Sequence, residues 1–227
     1  MSLDTPASRA PGFTLVELLV VLAVVGLLVG LLIPVIGHIR DTAGAARCAG
    51  NLRTLHSAAM LAIADRKNGM LDRSNWPTQI SGYLALPPGH TGDDNWPENL
   101  PSPYRCEASY RLRPSDRGYT RTYGINNFVC PTANGGDTVL SNTARRLGDV
   151  ASPALTAFFM DGAVGVAGKA YWPYVRPSNL SGASPVLYPH DNAANVVFVD
   201  GHVSRISQTG MLSKNGTEAS PFWGKVR

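Results

Sequence analysis

The chain has 227 residues, with 20 basic and 16 acidic side chains and a formal net charge of +4. The basic residues are scattered rather than grouped, which argues against a nucleic-acid-binding surface, so we expect no nucleic-acid partner. Glycine (23 residues) and proline (17 residues) are abundant, which favours a loop-rich globular part.

The first element in chain order is an apolar run. From Leu18 to Ile36 there are 19 consecutive residues without a charged side chain. As a helix this run is roughly 28 Å long, which matches the hydrocarbon thickness of a bilayer. A helix satisfies every backbone hydrogen-bonding group internally, as lipid requires, so we predict a transmembrane helix over residues 13–37. Glu17 lies at the start of the run, where a carboxylate needs a partner of opposite charge.

The residues just before the run carry a short motif. Gly12 is followed by Phe13, and Glu17 stands four residues after Phe13. This pattern resembles the N-terminus of type IV prepilins and type II secretion pseudopilins. The resemblance implies that 1–12 is a leader peptide, that prepilin peptidase cuts between Gly12 and Phe13, and that the new amine is methylated. It also implies that Glu17 pairs with the N-terminal amine of a neighbouring subunit and that Pro34 kinks the helix.

A secretory signal and an ordinary membrane anchor are the alternatives for the N-terminus. A secretory signal has a shorter apolar core, about 7–15 residues, and a small-residue cleavage site that this run lacks. An ordinary anchor, with Glu17 in the head-group layer, is the stronger alternative. Arg40, Arg47 and Arg53 follow the span, which by the positive-inside rule favours a cytoplasmic head. The resemblance instead implies a single-pass protein of a bacterial inner membrane with an extracytoplasmic head.

Beyond the span, the helix is predicted to continue to about Lys67. Residues 38–68 carry apolar side chains at three- and four-residue steps, which form one stripe: Ala45, Cys48, Ala49, Leu52, Leu55, Ala59 and Ile63. The pattern stops at Asn68-Gly69, which is a helix C-terminus signal.

Residues 69–227 are predicted to form a loop-rich head. The stretch 70–120 is rich in proline and turn residues, and a solvated turn explains Asp93 and Asp94 better than a calcium site does. Strand-like runs follow at Ala154–Met160, Pro185–Tyr188, Asn195–Val199 and His202–Ile206. This order predicts an α+β fold, in which an antiparallel sheet packs on the apolar stripe of the long N-terminal helix. The resemblance to prepilins implies that this fold is pilin-like.

The chain has three cysteines, Cys48, Cys106 and Cys130. In an extracytoplasmic head, Cys106 and Cys130 can form a disulfide. Cys48 lies on the predicted helix, and we interpret it as a small buried apolar residue. No C-x-x-C motif occurs, which argues against a redox motif or a zinc knuckle.

A second motif lies near the C-terminus, where His190 is followed by nine residues and then by Asp200 and Gly201. This element resembles the H-X9-DG signature of a subgroup of pilin-like proteins abundant in the Planctomycetes and Verrucomicrobia. Residues 47–53 and 123–126 also resemble segments of that subgroup. The resemblance indicates a family more than a biochemical role.

The residues around Asp200 and Gly201 also predict a β-hairpin by themselves. Asp-Gly between two apolar runs favours a two-residue type I′ turn, in which Val199 faces His202 and Phe198 faces Val203. His190, at the other end of the run, is expected to fix the fold through a hydrogen bond.

The alternative for this segment is a metal or hydrolytic site built from His190, Asp191, Asp200 and His202. An extended strand would separate its two ends by roughly 25–30 Å, which argues against joint coordination. Neither G-x-S-x-G nor H-E-x-x-H is present. We therefore expect no metal, no cofactor and no enzymatic activity.

Together these features predict a pilin-like or pseudopilin structural subunit of a type IV pilus or a type II secretion pseudopilus. Its expected partners are prepilin peptidase, other pilin or pseudopilin subunits and the inner membrane. The alternatives are a stand-alone membrane-anchored protein whose head binds a ligand and, less favoured, an anchored hydrolase.

Overall fold

The long N-terminal helix, α1, extends over Leu15–Asp65. The computed structural model describes residues 14–67, 69–87, 89–90, 102–112, 121–130, 146–162, 174–180, 186–217 and 219–224, without the side chains of residues 32–40. The leader 1–12, the cleavage position before Phe13 and the Asp93-Asp94 pair lie outside these residues, so the predictions about them remain predictions.

The chain divides into two compact units, Met1–Arg40 and Asp41–Arg227, and α1 contributes residues to both. In the first unit, every leucine and valine side chain over residues 15–31 is 49–78% exposed. Among the helices whose side chains are described, none is both long enough and apolar enough to cross a membrane. Pro34 lies within α1, and its kink stays a prediction.

In the second unit, α1 presents the predicted stripe to the core. The fully buried members of the stripe are Leu52, Leu55, Ala59 and Ile63, and the neighbouring Ala58 and Ala62 are also buried. These side chains belong to one core with Trp76, Tyr104, Tyr123, Ile125 and Phe159. The three-and-four spacing is therefore confirmed as a core-facing stripe. The helix ends at Asp65, and Lys67 adopts the left-handed backbone conformation (φ 55°) that commonly closes a helix.

One sheet lies in the second unit. Its strands within the described residues are β1 (Tyr123–Asn126), β2 (Ala157–Asp161), β3 (Tyr174–Val175), β4 (Ala193–Phe198) and β5 (Val203–Ser207). They are arranged in the order β3-β1-β2-β4-β5. The pairs β1–β2, β2–β4 and β4–β5 are antiparallel, whereas β3 joins β1 in parallel. The α+β class and the antiparallel sheet are confirmed, with a short parallel edge that was not predicted.

The predicted strands agree with the sheet except at one place. Three predicted runs correspond to β2, β4 and β5. The fourth, Pro185–Tyr188, is wrong over its described residues, because none of 186–188 belongs to a strand. Val186 instead donates its N–H to the carbonyl oxygen of Asn179 at 2.9 Å. Strands β1 and β3 were not predicted from the sequence.

Both faces of the sheet are covered. Val197 packs in the core formed with α1, whereas Val196 and Phe198 pack in a second core with the C-terminal residues Met211, Phe222 and Trp223. All six residues of β4 are buried, as expected for a strand covered on both faces.

Shorter helices complete this unit: α2 (Trp76–Ile80), α3 (Glu107–Leu112), α4 (Gln208–Asn215) and single 3₁₀ turns at Ser81–Tyr83, Leu147–Asp149, Pro177–Asn179 and Pro221–Trp223.

The hairpin β4–β5 exists as predicted, but its register differs by one residue. Val197 pairs with Val203, and the N–H of Phe198 donates to the carbonyl oxygen of His202 at 2.9 Å. The loop therefore has three residues, 199–201, and only Gly201 among them has a positive φ, of 93°. A type I′ turn needs two such residues, so the two-residue turn is wrong. As a result Phe198 faces His202, and their rings stack 4.2 Å apart.

Candidate functional site

At the N-terminus, Glu17 closes the first turn of α1 together with Thr14. The backbone N–H and the hydroxyl of Thr14 both donate to Glu17 Oε2 at 2.8 Å, and the Glu17 N–H donates to Thr14 Oγ1 at 3.3 Å. This reciprocal pattern is a capping box, with Thr14 as the N-cap residue. The role of Thr14 was missed from the sequence, although T-x-x-E before an apolar run is its usual signal.

In the head, the described cysteines pair differently from the prediction. Cys48 and Cys106 form the disulfide, with their Cα atoms 5.1 Å apart, and Cys130 is a buried free thiol. The Cys106–Cys130 pairing is therefore wrong. The reason is that Cys48 lies on the core-facing stripe of α1, where the segment before α3 returns to the helix. Burial raises the pKa of the Cys130 thiol.

His190 lies directly against this disulfide. Its side chain is buried, and its Nε2 is 3.3 Å from Cys106 Sγ and 3.9 Å from Asp161 Oδ2. Burial, helped by the positive charge of Arg205 and opposed by Asp41, lowers the pKa of His190 to about 4. The imidazole is therefore neutral at pH 7, with one ring nitrogen available as an acceptor or ligand.

The backbone around His190 is held by the hairpin. The His190 N–H donates to the carbonyl oxygen of Ala193 at 3.2 Å, and the His190 carbonyl accepts a hydrogen bond from the Arg205 guanidinium. Asp191 and Asn192 have φ values of 54° and 55°. Two consecutive left-handed residues are what a type I′ turn requires, so that kind of turn lies here rather than at residues 200–201.

Asp161, at the end of β2, is the acidic member of the same cluster. It is fully buried, and its Oδ2 accepts a hydrogen bond from the Asn195 N–H at 2.9 Å. The Ser109 hydroxyl reaches its Oδ1 at 3.4 Å. Burial raises the pKa of Asp161 to about 7, and the two hydrogen bonds oppose this shift. Asp161 was not predicted as a site residue, because the sequence around it indicates only a strand followed by a turn.

The Asp200-Gly201 end of the motif contacts α1 at a different place. His56 Nε2–H donates to the carbonyl oxygen of Val199 at 3.1 Å. Asp200 Oδ1 accepts hydrogen bonds from the backbone N–H and from Nδ1–H of His202, at 3.2 and 2.6 Å. A Cβ atom on Gly201 would lie 3.1 Å from Cε1 of His56. Gly201 is therefore needed both for its positive φ and for this close approach.

The residues considered as a metal site in the sequence analysis lie at two separate places in the structure. Asp200 and His202 pair in the hairpin turn, whereas His190 lies with Cys106 and Asp161 at the other end of β4. Within the described residues the His190 end instead brings together Cys48, Cys106 and His190, whose ligand atoms lie within 4.8 Å of one another. The two ends of the H-X9-DG motif thus make contacts at two separate places, one near His56 and one near the Cys48–Cys106 disulfide.

We expect Gly201→Ala to lower the free energy of unfolding of the head by about 1–2 kcal/mol, because an L-residue is strained at this φ and its Cβ approaches His56. Urea unfolding followed by tryptophan fluorescence measures the loss. In a His56→Ala background the steric part should disappear and the penalty should shrink. Equal stability of Gly201→Ala and wild type would contradict this role.

Comparison with known proteins identifies the N-terminal segment. Residues 8–33 match the family model described as the prokaryotic N-terminal methylation motif. This motif is typical of prepilin-like proteins, and it suggests a type IV pilin or pseudopilin type of subunit anchored in the cell envelope. No curated protein and no solved structure matches the chain.

Proposed function

We propose that this chain is a pilin-like or pseudopilin structural subunit, which prepilin peptidase cuts between Gly12 and Phe13 and methylates on Phe13. The observation that supports this most strongly is the methylation motif over residues 8–33. The mature subunit then joins a type IV pilus or a type II secretion pseudopilus. Its role is structural rather than enzymatic, and the H-X9-DG element serves to hold the β4–β5 hairpin on α1.

The exposed apolar surface of α1 supports a membrane-anchored starting state. The leucine and valine side chains over residues 15–31 are all about half exposed or more. A contiguous apolar surface of this kind is covered in a functioning protein, either by lipid or by other chains. We propose that the inner membrane covers it before assembly and that the helices of neighbouring subunits cover it in the filament.

The disulfide supports an extracytoplasmic head. Disulfides persist in oxidising compartments and are rare in the cytosol. The Cys48–Cys106 bridge joins α1 to the segment before α3. A head outside the cytoplasm, on a single-pass anchor whose N-terminus is cytoplasmic, agrees with both the bridge and the motif.

The Glu17 carboxylate has enough acceptor sites both to cap its own helix and to pair with a neighbouring subunit. A carboxylate offers about four lone-pair sites, and the capping box with Thr14 involves Oε2. A free N-terminal amine, whose pKa is normally near 8, is charged at neutral pH. We propose that Glu17 caps α1 in the single subunit and also pairs with the Phe13 amine of the next subunit during assembly.

The assembly part of the proposal is tested in the native cell. Filaments are sheared from the surface or collected with the envelope machine, pelleted, and probed for this chain. We expect the mature chain in the polymeric fraction, and its loss from that fraction when prepilin peptidase is absent. A stand-alone ligand-binding protein would instead remain monomeric in membranes under conditions that favour filament growth, and that result would contradict the proposal.

A further inference from the structure

The two disulfide cysteines and His190 form a buried cluster of residue types that bind metal ions. Cys48, Cys106 and His190 are 3%, 0% and 3% exposed, and their ligand atoms lie within 4.8 Å of one another. Asp161 adds a fully buried carboxylate, with Oδ2 3.9 Å from His190 Nε2. Two cysteines, a histidine and a carboxylate are the ligand types that tetrahedral zinc takes in proteins.

We propose that reduction of the Cys48–Cys106 disulfide converts this cluster into a Zn²⁺ site, with Cys48, Cys106, His190 and Asp161 as the four ligands. The same pocket then holds two alternative cross-links, a disulfide in the oxidised chain and a metal ion in the reduced one. This site is independent of filament assembly, because it lies in the interior of the head.

The distances suit such a site. Zinc–sulfur and zinc–nitrogen bonds of about 2.3 and 2.0 Å place the ligand atoms of a tetrahedron about 3.3–3.8 Å apart. The Cys106 Sγ to His190 Nε2 distance is already 3.3 Å, and Asp161 Oδ2 lies 3.9 Å from the same Nε2 atom. The two sulfur atoms must separate once the bond between them is broken, by rotation about the side-chain torsions.

The surroundings hold the ligands in place. Asp161 accepts hydrogen bonds from the Asn195 N–H and the Ser109 hydroxyl, and such outer contacts orient ligands. The backbone of His190 is held by Ala193 and by the Arg205 guanidinium.

The chemistry balances with a dithiol reductant. Thiol–disulfide exchange transfers two electrons and two protons from the dithiol, which becomes a disulfide, to Cys48 and Cys106, which become thiols. Zn²⁺ then displaces both thiol protons to solvent as the thiolates coordinate the metal. A metal site would join α1, the segment before α3, the end of β2 and the start of the hairpin, whereas the disulfide joins only the first two.

The test uses the full-length chain in detergent, reduced with a dithiol and then freed of it under anaerobic conditions. Native mass spectrometry should show one Zn²⁺ per reduced chain and none on the oxidised chain. Co²⁺ in place of zinc should give thiolate-to-cobalt charge-transfer bands and the strong visible bands of a tetrahedral ion. Cys130→Ser is the matched control, because Cys130 is a buried thiol outside the cluster, and it should bind metal like wild type.

Substitution of the ligands completes the test. His190→Ala should weaken zinc binding by more than about 100-fold, since even loss of an outer-shell contact costs 10–100-fold. Asp161→Asn should weaken it measurably, and unchanged affinity would remove Asp161 from the ligand set. If the reduced chain unfolds without metal, Zn²⁺ should restore the tryptophan emission of the folded head in wild type but not in His190→Ala. If the reduced chain bound no zinc, or if the Cys130→Ser substitution abolished zinc binding, the proposal would be overturned.

Discussion

A chain with Glu17→Gln is expected to be cleaved and methylated normally but to be absent from filaments. Glutamine keeps an oxygen that can accept the Thr14 hydrogen bonds, so the capping box at the start of α1 is retained. It removes the negative charge, which the proposed pairing with the amine of a neighbouring subunit requires. Intact mass of the membrane fraction measures processing, and immunoblotting of sheared filaments measures assembly.

Two further variants distinguish the effect of the Glu17 charge from the effect of the helix cap. Thr14→Ala removes the N-cap hydroxyl but keeps the Glu17 charge, so we expect it to assemble, with reduced yield at most. Glu17→Ala removes both functions and should fail like Glu17→Gln. If Glu17→Gln entered filaments as wild type does, while Thr14→Ala and Glu17→Ala failed, Glu17 would act only as a helix cap and the proposed pairing would be wrong.

The second large effect is expected at the disulfide. The double variant Cys48→Ser/Cys106→Ser should lower the free energy of unfolding of the oxidised head by about 4 kcal/mol, because the bridge closes a sequence separation of 58 residues in the unfolded chain. That is a large part of the roughly 5–15 kcal/mol that stabilises a typical domain. Urea unfolding followed by tryptophan fluorescence reports on the head alone, because all four tryptophans lie within residues 69–227.

The controls come from the remaining cysteine and from reduction. Cys130→Ala removes one buried sulfur from the same core, and it should cost about 1 kcal/mol, well below the double variant. Reduced, metal-free wild type should unfold like the double variant. A double variant as stable as the oxidised wild type, or a larger loss in Cys130→Ala, would show that the Cys48–Cys106 bridge contributes little.

Features that depend on neighbours along the chain could be predicted from the sequence. The recurrence of Cys48, Leu52, Leu55, Ala59 and Ile63 indicated which side of α1 meets the core, because helical periodicity is a local property. The hairpin around Asp200-Gly201 could be predicted for the same reason. The N-terminal motif was recognised from residue type and spacing alone, and its match to the methylation family covers this segment only.

Features decided by distant contacts could not be predicted. The burial of Cys48 was foreseen, but its partner depends on where the segment containing Cys106 returns to α1. The three-residue loop places Gly201 against His56, a residue 145 positions earlier in the chain. Asp-Gly suits both a two-residue and a three-residue loop, so the turn residues alone do not determine the register.

The His190 cluster shows the same limit for site residues. His190 was singled out from its motif, but the sequence offered Asp191, Asp200 and His202 as its companions. The sheet instead brings β2 beside β4 and places Asp161 next to the start of the hairpin. No spacing rule relates residues 48, 106, 161 and 190, because their proximity arises from the order of the strands and from the disulfide.

Intact mass of the protein from native membranes decides whether the chain is matured as a prepilin before it assembles. We expect a chain that begins at Phe13, has lost Met1–Gly12 and carries one additional methyl group on its N-terminus. A mature chain that still carries residues 1–12 would show that prepilin peptidase does not process this protein, and the proposed route into a filament would then be wrong.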